Sequence, residues 1–347
     1  MKTENIYEEV RRLIEKGYGR RKVARALDIT EWAARHLIAD VINKETSYKG
    51  KAVCDKKEAA DTPRPVRRKT HKTATKRKQS KSGTDVTIKT RGVKGDTPTK
   101  IEKRSASLKI AVLSDIHYPY EDAQCIKIVK SYLRDYKPDM IILNGDITDC
   151  YSVSRYEKNM KGRPDIQEEI DYTAEKLEEW VTEFPDTEFK FIEGNHEERL
   201  RRHVSSNAPA LVALRNMSFP YLVGLDNLGI EWIGTDQELQ IGSLLFTHGH
   251  MARKHAGTTA RGHFESYGCS VIVGHVHRLS VAWKRNKIGH HAMVENGTLC
   301  DFDVEYLKFP DWQHGFTTIE FDGNDFCPRQ HPIIDYKLIA DGKVYVA

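Results

Sequence analysis

Three largely apolar runs, at residues 108–114, 139–143 and 188–192, divide the middle of the chain, and each is followed within three residues by Asp or Asn. Between them the spacing changes to helical. Ile126, Val129, Tyr132 and Leu133 share one face of residues 122–136, and Ile166, Ile170, Leu177 and Val181 share one face of residues 165–184. Strand, helix, strand, helix, strand predicts parallel pairing with right-handed crossovers. Downstream the pattern shortens into strand-like segments at 230–233, 243–247, 270–273, 280–283, 291–294 and 316–321. Periodicity therefore predicts an α/β domain with additional β structure over residues 108–347.

The first 43 residues read differently. Ile6, Val10, Leu13 and Ile14 recur at helical spacing up to the breaker Gly17-Tyr18-Gly19. Residues 20–27 predict a second helix with Val23, Ala24 and Leu27 inward. Asp28-Ile29-Thr30 predicts a tight turn, with Thr30 the N-cap of a third helix over 31–41. Helix, tight turn, helix is the helix-turn-helix layout, and residues 23–30 resemble it, with Asp28 where glycine is usual. That resemblance places Trp32, Arg35 and His36 toward a DNA groove. A small helical bundle that binds protein is the competing reading.

Charge sharpens the division. The net formal charge of +5 hides 9 Lys/Arg against 7 Asp/Glu in residues 1–43, 20 against 7 in residues 44–107, and 26 against 36 in residues 108–347. Residues 44–107 lack a sustained apolar period and predict a disordered basic linker, suited to phosphate contact regardless of sequence. The six cysteines form no C-x-x-C, which argues against a disulfide framework or a thiolate zinc site. No apolar run reaches transmembrane length, and residues 1–10 are too polar for a signal peptide. A cytoplasmic protein without a membrane partner is the expectation.

The chemistry gathers where strands end. Asp115-Ile116-His117, Gly145-Asp146-Ile147-Thr148-Asp149, Gly194-Asn195-His196-Glu197, His248-Gly249-His250 and Gly274-His275-Val276-His277 each follow an apolar run. One such Asp is ordinarily a cap and one such His an ordinary hydrogen-bonded side chain. Five together form a ligand set of carboxylate, imidazole and amide that suits Mn²⁺, Fe or Zn²⁺ without thiolate. Asp-x-His puts two ligands on one side of an extended segment.

In that order the five motifs resemble the calcineurin-like metallophosphoesterase superfamily. The resemblance implies a four-layer αββα sandwich and a dinuclear metal-dependent hydrolase. It implies that Asp115, His117 and His277 hold one divalent metal, that Asn195, His248 and His275 hold the other, and that Asp146 bridges them. Mn²⁺ is the first expectation, with Fe, Zn²⁺ or Ni²⁺ as alternatives. The metals would lie ~3.5–4 Å apart with a hydroxide between them as nucleophile. His196 would act on the substrate as catalytic residue, oriented by Asp149.

The phosphoprotein phosphatase branch reads Arg-Gly-Asn-His-Glu, whereas Glu193 precedes Gly194 here and Cys150-Tyr151 follow Asp149. These departures disfavour that branch. Arg155, Arg199 and His250 are candidate substrate contacts, set against a solvated charged face. The reading that follows is a phosphodiesterase or nuclease acting on DNA, with residues 1–107 binding nucleic acid. The alternative is a phosphomonoesterase, acting on a small molecule or a phosphoprotein, with an N-terminal adaptor.

Overall fold

The computed structural model describes residues 3–16, 20–27, 41, 85–93, 98–104, 107–155, 163–302 and 310–347. The chain divides into two compact units, Met1–Gln79 and Ser80–Ala347. In the first, helices α1 (Thr3–Glu15) and α2 (Arg20–Leu27) lie where the apolar spacing predicts. Val10, Leu13, Val23 and Val41 bury together as a small core. The turn at 28–30, the third helix apart from Val41, and with it Trp32, Arg35 and His36, lie outside the described residues, as do residues 44–84.

The second unit is built on strands whose successive side chains face two different cores. In β3 (Ser107–Leu113), Ala111 and Leu113 join one cluster and Ile110 and Val112 another. In β4 (Met140–Asn144), Ile141 and Leu143 face the first and Met140 and Ile142 the second. With β5 (Glu188–Ile192) and β6 (Ile230–Ile233) these strands pair in parallel. The helices α3 (Ala123–Tyr136) and α4 (Ile166–Glu183) supply the crossovers and cover the first cluster through Ile128, Leu133, Ile170, Leu177 and Trp180. Asp122 accepts the Gln124 and Cys125 amides at the start of α3, and Asp165 with Glu168 forms a capping box on α4.

A second sheet faces the other core. It contains β7 (Gln237–Ile241), β8 (Leu244–Phe246), β9 (Ser270–Val273), β10 (Leu279–Arg285) and β11 (His290–Asn296). Leu244, Phe246 and Ile272 point to the inter-sheet core, while Leu245, Val271 and Val273 point outward. There they meet Ala260 and Phe264 of α6 (Thr258–Tyr267), which follows α5 (Glu197–Asn207) in the chain. The layers are therefore helix, sheet, sheet, helix, an α/β sandwich. The strands β12 (Gly315–Asp322) and β13 (Asp325–Pro332) extend the first sheet antiparallel to β3. The hairpin β14 (Lys337–Ala340) and β15 (Lys343–Val346) buries Leu338 and Tyr345 beside α3.

The expected linker is corrected at its C-terminal end. β1 (Val86–Gly92) and β2 (Pro98–Arg104) complete the seven-stranded sheet, in the order β10-β11-β9-β8-β7-β1-β2. Alternation is the reason: Val86, Ile88 and Thr90 are buried while Thr87, Lys89 and Arg91 lie nearer solvent. Ile88 sits opposite Ile241 of β7, inside the inter-sheet core. The basic residues of β2 also have partners. Lys100 pairs with Glu231 at 2.8 Å, and Arg104 pairs with Glu188. The α/β unit thus begins some twenty residues earlier than the apolar runs predicted. Ile88→Ala should lower the stability of the full chain by about 2–5 kcal/mol, read as a reduced urea midpoint in equilibrium unfolding; an unchanged midpoint would show that β1 contributes nothing to this core.

Candidate metal centre

Each candidate ligand stands just beyond the C-terminal end of a strand, and the strands come from both sheets. Loops after β3 and β4 run side by side: the amides of Asp115 and His117 donate to the carbonyls of Gly145 and Asp146, both at 3.0 Å. Gly274 N–H donates to the His248 carbonyl at 3.0 Å and joins the loops after β8 and β9. The two pairs are then stitched across the seam. His275 N–H donates to the Asp115 carboxylate at 3.0 Å, and His248 Nδ1 donates to the Asn144 carbonyl at 2.9 Å. Asp115, His117, Asp146, His275 and His277 all hold left-handed backbone, with φ between 52° and 70°. The loops must approach so closely that Gly194 has no room for a side chain: a Cβ there would lie 2.3 Å from the Asp146 amide nitrogen.

Two donor groups result. Asp115, His117 and His277 converge in one, with His277 Nε2 3.2 Å from Asp115 Oδ1 and 3.2 Å from His117 Nε2. Two imidazole nitrogens at that distance need a proton or a cation between them. Asp146, His248 and His275 converge in the other, with His248 Nε2 3.1 Å from Asp146 Oδ2 and 3.2 Å from Asn195 Oδ1. Since His248 Nδ1 is committed to a carbonyl, its Nε2 faces this cluster. His275 Nδ1 is buried without a hydrogen-bond partner, as expected of a lone pair kept for a ligand. All donors are oxygen or imidazole nitrogen, so the set fits the divalent metals named from the sequence.

The electrostatics describe a centre short of positive charge. Burial works against ionisation of Asp146, yet His196 and His248 hold its carboxyl well below the usual range. Burial also opposes the charge on Asp115, and His277 lowers its pKa. Against its own burial, His248 is pushed up to about 10 by Asp146. Burial and the neighbouring His248 push His275 down to about 4. A proton on His248 thus stands in for cationic charge beside Asp146.

His196 is the residue just before α5, at the edge of both groups. Its Nδ1 lies 2.9 Å from Asp149 Oδ1 and 2.8 Å from the Asp149 carbonyl. Its Nε2 accepts from Arg199 at 2.7 Å and lies 3.7 Å from Asp146 Oδ2. Asp149 also reaches His117 Nδ1 at 2.9 Å. Burial opposes its charge, but His196 and His117 keep its carboxyl far below the usual carboxylate range. Arg199 additionally donates to the Asp149 carbonyl at 2.9 Å, so it is turned into the site. The other two candidate substrate residues are placed otherwise. Arg155 is exposed and makes no hydrogen bond or ion pair to these residues, and exposed His250 packs edge-on against buried His263, centroids 4.9 Å apart.

Sequence reasoning passed over Glu197. Wholly buried, its carboxylate accepts four backbone amides: Asp146 and Gly194 on Oε2, at 3.0 and 2.9 Å, and Ile147 and Thr148 on Oε1, at 2.8 and 2.9 Å. One side chain thereby fixes the loop that carries Asp146 to the loop that carries Asn195. Its signal was present in the motif, as an acidic residue in the first turn of a helix directly after His196.

Residues 108–279 match the family model described as calcineurin-like phosphoesterase. The chain is 29% identical over 255 residues to the Gene 54 protein of Mycobacterium phage L5, covering 69% of this chain and 99% of that protein. It is 28% identical over 253 residues to the Gene 54 protein of Mycobacterium phage D29, with the same coverage of 69% and 99%. Among solved structures, Vacuolar Protein Sorting 29 from Cryptosporidium parvum aligns with a TM-score of 0.38 at 14% identity, over 70% of this chain and 97% of that one. Among the described residues no helix is long and apolar enough to cross a membrane. The stretch that matches the calcineurin-like phosphoesterase model, residues 108–279, contains every loop that brings the donors together, from Asp115 to His277.

Proposed function

We propose that this chain is a phosphodiesterase that cuts DNA at a two-metal centre, with Mn²⁺ as the first candidate metal. The observation that carries the hydrolytic part is the convergence of seven oxygen and nitrogen donors beside a His–Asp pair at one seam. Asp115, His117 and His277 would hold one ion, Asn195, His248 and His275 the other, and Asp146 both. Bound divalent ions supply Lewis acidity toward the phosphoryl oxygens and lower the pKa of water.

The remaining work falls to the chain. Asp149 holds His196 by Nδ1, which aims Nε2 at the gap where it would pass a proton to the departing oxygen. Arg199, now on that Nε2, is the cation a phosphate entering the gap would meet first. DNA is favoured by charge. Residues 80–347 carry 33 Lys/Arg against 39 Asp/Glu and repel a polyanion, whereas residues 44–79 carry 13 Lys/Arg against 4 Asp/Glu and adjoin the N-terminal helices in sequence. The phosphomonoesterase reading uses the same centre and is separated by the substrate tests below. The protein is expected in the cytoplasm.

Asp146→Asn is expected to abolish turnover and most metal binding. His196→Ala is expected to keep the metal and lose turnover by about 10²-fold or more, measured as kcat with metal content in parallel; full activity in His196→Ala would remove it from the mechanism. A second expectation concerns protons. Because His248 must give up its Nε2 proton to a metal, Mn²⁺ binding at pH 7 should release protons, detectable calorimetrically in buffers of different ionisation heat. Affinity should weaken about tenfold per unit as pH falls below the His248 value of about 10. Binding that is independent of pH from 7 to 9 would refute this ligand role. Finally, raising salt from about 50 to about 200 mM should depress DNA cleavage tenfold or more and leave a small diester untouched. Removing residues 1–79 should do the same; cleavage of a monoester alone, with DNA intact, would favour the phosphomonoesterase.

A further inference from the structure

Charge is not spread evenly over the second unit. Residues 239–294 carry seven Lys/Arg, eight His and a single acidic residue, Glu265, while the rest of residues 80–347 carries 26 Lys/Arg against 38 Asp/Glu. This basic stretch runs from the end of β7 into β11 and includes α6 on the outer side of the second sheet. The Arg253 guanidinium lies against Gly262 of α6, where an added Cβ would stand 2.9 Å from its Cζ. The Arg253 amide donates to Thr259 Oγ1 at 3.0 Å, and its carbonyl accepts Arg278 Nη1 at 2.8 Å. Two residues further along α6, Lys284 Nζ stands 5.1 Å from the centre of the Phe264 ring. Arg261 of the same helix is exposed and pairs with Glu265 at 3.0 Å. The face reaches the metal centre through His250, which follows the candidate ligand His248 by two residues and packs on His263 of α6.

The cations of this face lack counter-charges. Other cations of the unit meet carboxylates: Arg91 pairs with Glu238 at 2.8 Å, Lys130 with Glu183 at 3.0 Å and Lys343 with Asp135 at 2.8 Å. Arg253, Lys254, Lys284, Arg285 and Lys287 are exposed and meet no carboxylate among the described residues. Like charges held together without counter-charge repel one another. A polyanion relieves that repulsion and releases its own condensed counterions as it binds. A nucleic-acid strand is the polyanion that fits, because the face leads to a centre whose donors suit phosphoester chemistry. We infer that the α6 face, through Arg253, Lys254 and Lys284, is a nucleic-acid backbone contact that leads the phosphates of a strand to the His248–His275 side of the centre. This rests on the nuclease reading above for its partner, and it adds a contact separate from residues 44–79. The catalytic unit, acidic in sum, thereby attracts nucleic acid on one side.

The test follows the anisotropy of a fluorescein-labelled DNA duplex with the full chain, in EDTA so that no strand is cut. The triple variant Arg253→Ala/Lys254→Ala/Lys284→Ala should weaken binding about tenfold or more at about 100 mM salt. It should also lower the slope of log affinity against log salt by about three, close to one per lost phosphate contact. A control triple, Lys127→Ala/Arg134→Ala/Lys337→Ala, removes the same formal charge from α3 and the neighbouring β14, and should leave the slope within about one of wild type. Both variants should melt at the wild-type temperature and, with Mn²⁺, turn over a small diester at the wild-type rate. An unchanged slope in the first triple overturns the contact, as does an equal fall in both. Loss of binding to phosphatidylserine vesicles in the first triple, with duplex binding intact, assigns the face to a membrane and overturns it likewise. DNA cleavage with Mn²⁺ separates the two ideas. A duplex bound with the expected slopes yet left intact sinks the nuclease reading and leaves the contact standing; a duplex that is cut, with equal slopes in wild type and the first triple, sinks the contact alone.

Discussion

A buried carboxylate must be met by positive charge or by aligned donors, and this domain buries several at one seam. Asp115, Asp146 and Glu197 are all sealed from solvent where the two sheets meet. Glu197 is satisfied by four amides and Asp115 by the His275 amide and His277. Asp146 receives the His196 amide at 2.9 Å and faces two imidazoles. Satisfying these anions requires loops from both sheets to sit within hydrogen-bond distance of one another. The sandwich therefore serves the seam as much as the seam depends on the sandwich.

The division of roles around that seam follows burial. Side chains that set the loops, such as Glu197 and Asn144, are wholly enclosed and hydrogen-bonded to backbone; Asn144 Nδ2 reaches across to the Thr247 carbonyl at 3.1 Å. Those that would meet a substrate, His196 and Arg199, lie at its margin and bond to each other. Moving outward, the site passes from fixed anions to nitrogen donors.

Much of this was legible in the chain because the central strands are buried on both faces. Residues 110–113 and 140–143 are continuous in apolar residues, and the polar residues that follow them stand out by contrast. The helices α3 and α4 were equally clear, since each carries its own apolar stripe. Other elements lacked such a signal. β1 alternates Val86 and Ile88 with Thr87 and Lys89 inside a strongly basic stretch, so composition masked a strand that has one wet face. α6 is held by Glu295 of β11, which accepts the Thr259 and Ala260 amides at 2.9 and 3.1 Å, a long-range cap that no local pattern announces. Trp312 stands beside His277 only through the fold, 35 positions away in the chain.

The left-handed backbone at Asp115, His117, Asp146, His275 and His277 has an energetic consequence. An L-residue in that region costs of order 1 kcal/mol that glycine would not. At each of these places, the residue that best suits the polypeptide and the residue that best suits a cation are different. With Asp or His at all five positions, the chain carries that backbone cost at each, and the surrounding packing and hydrogen bonds must offset it.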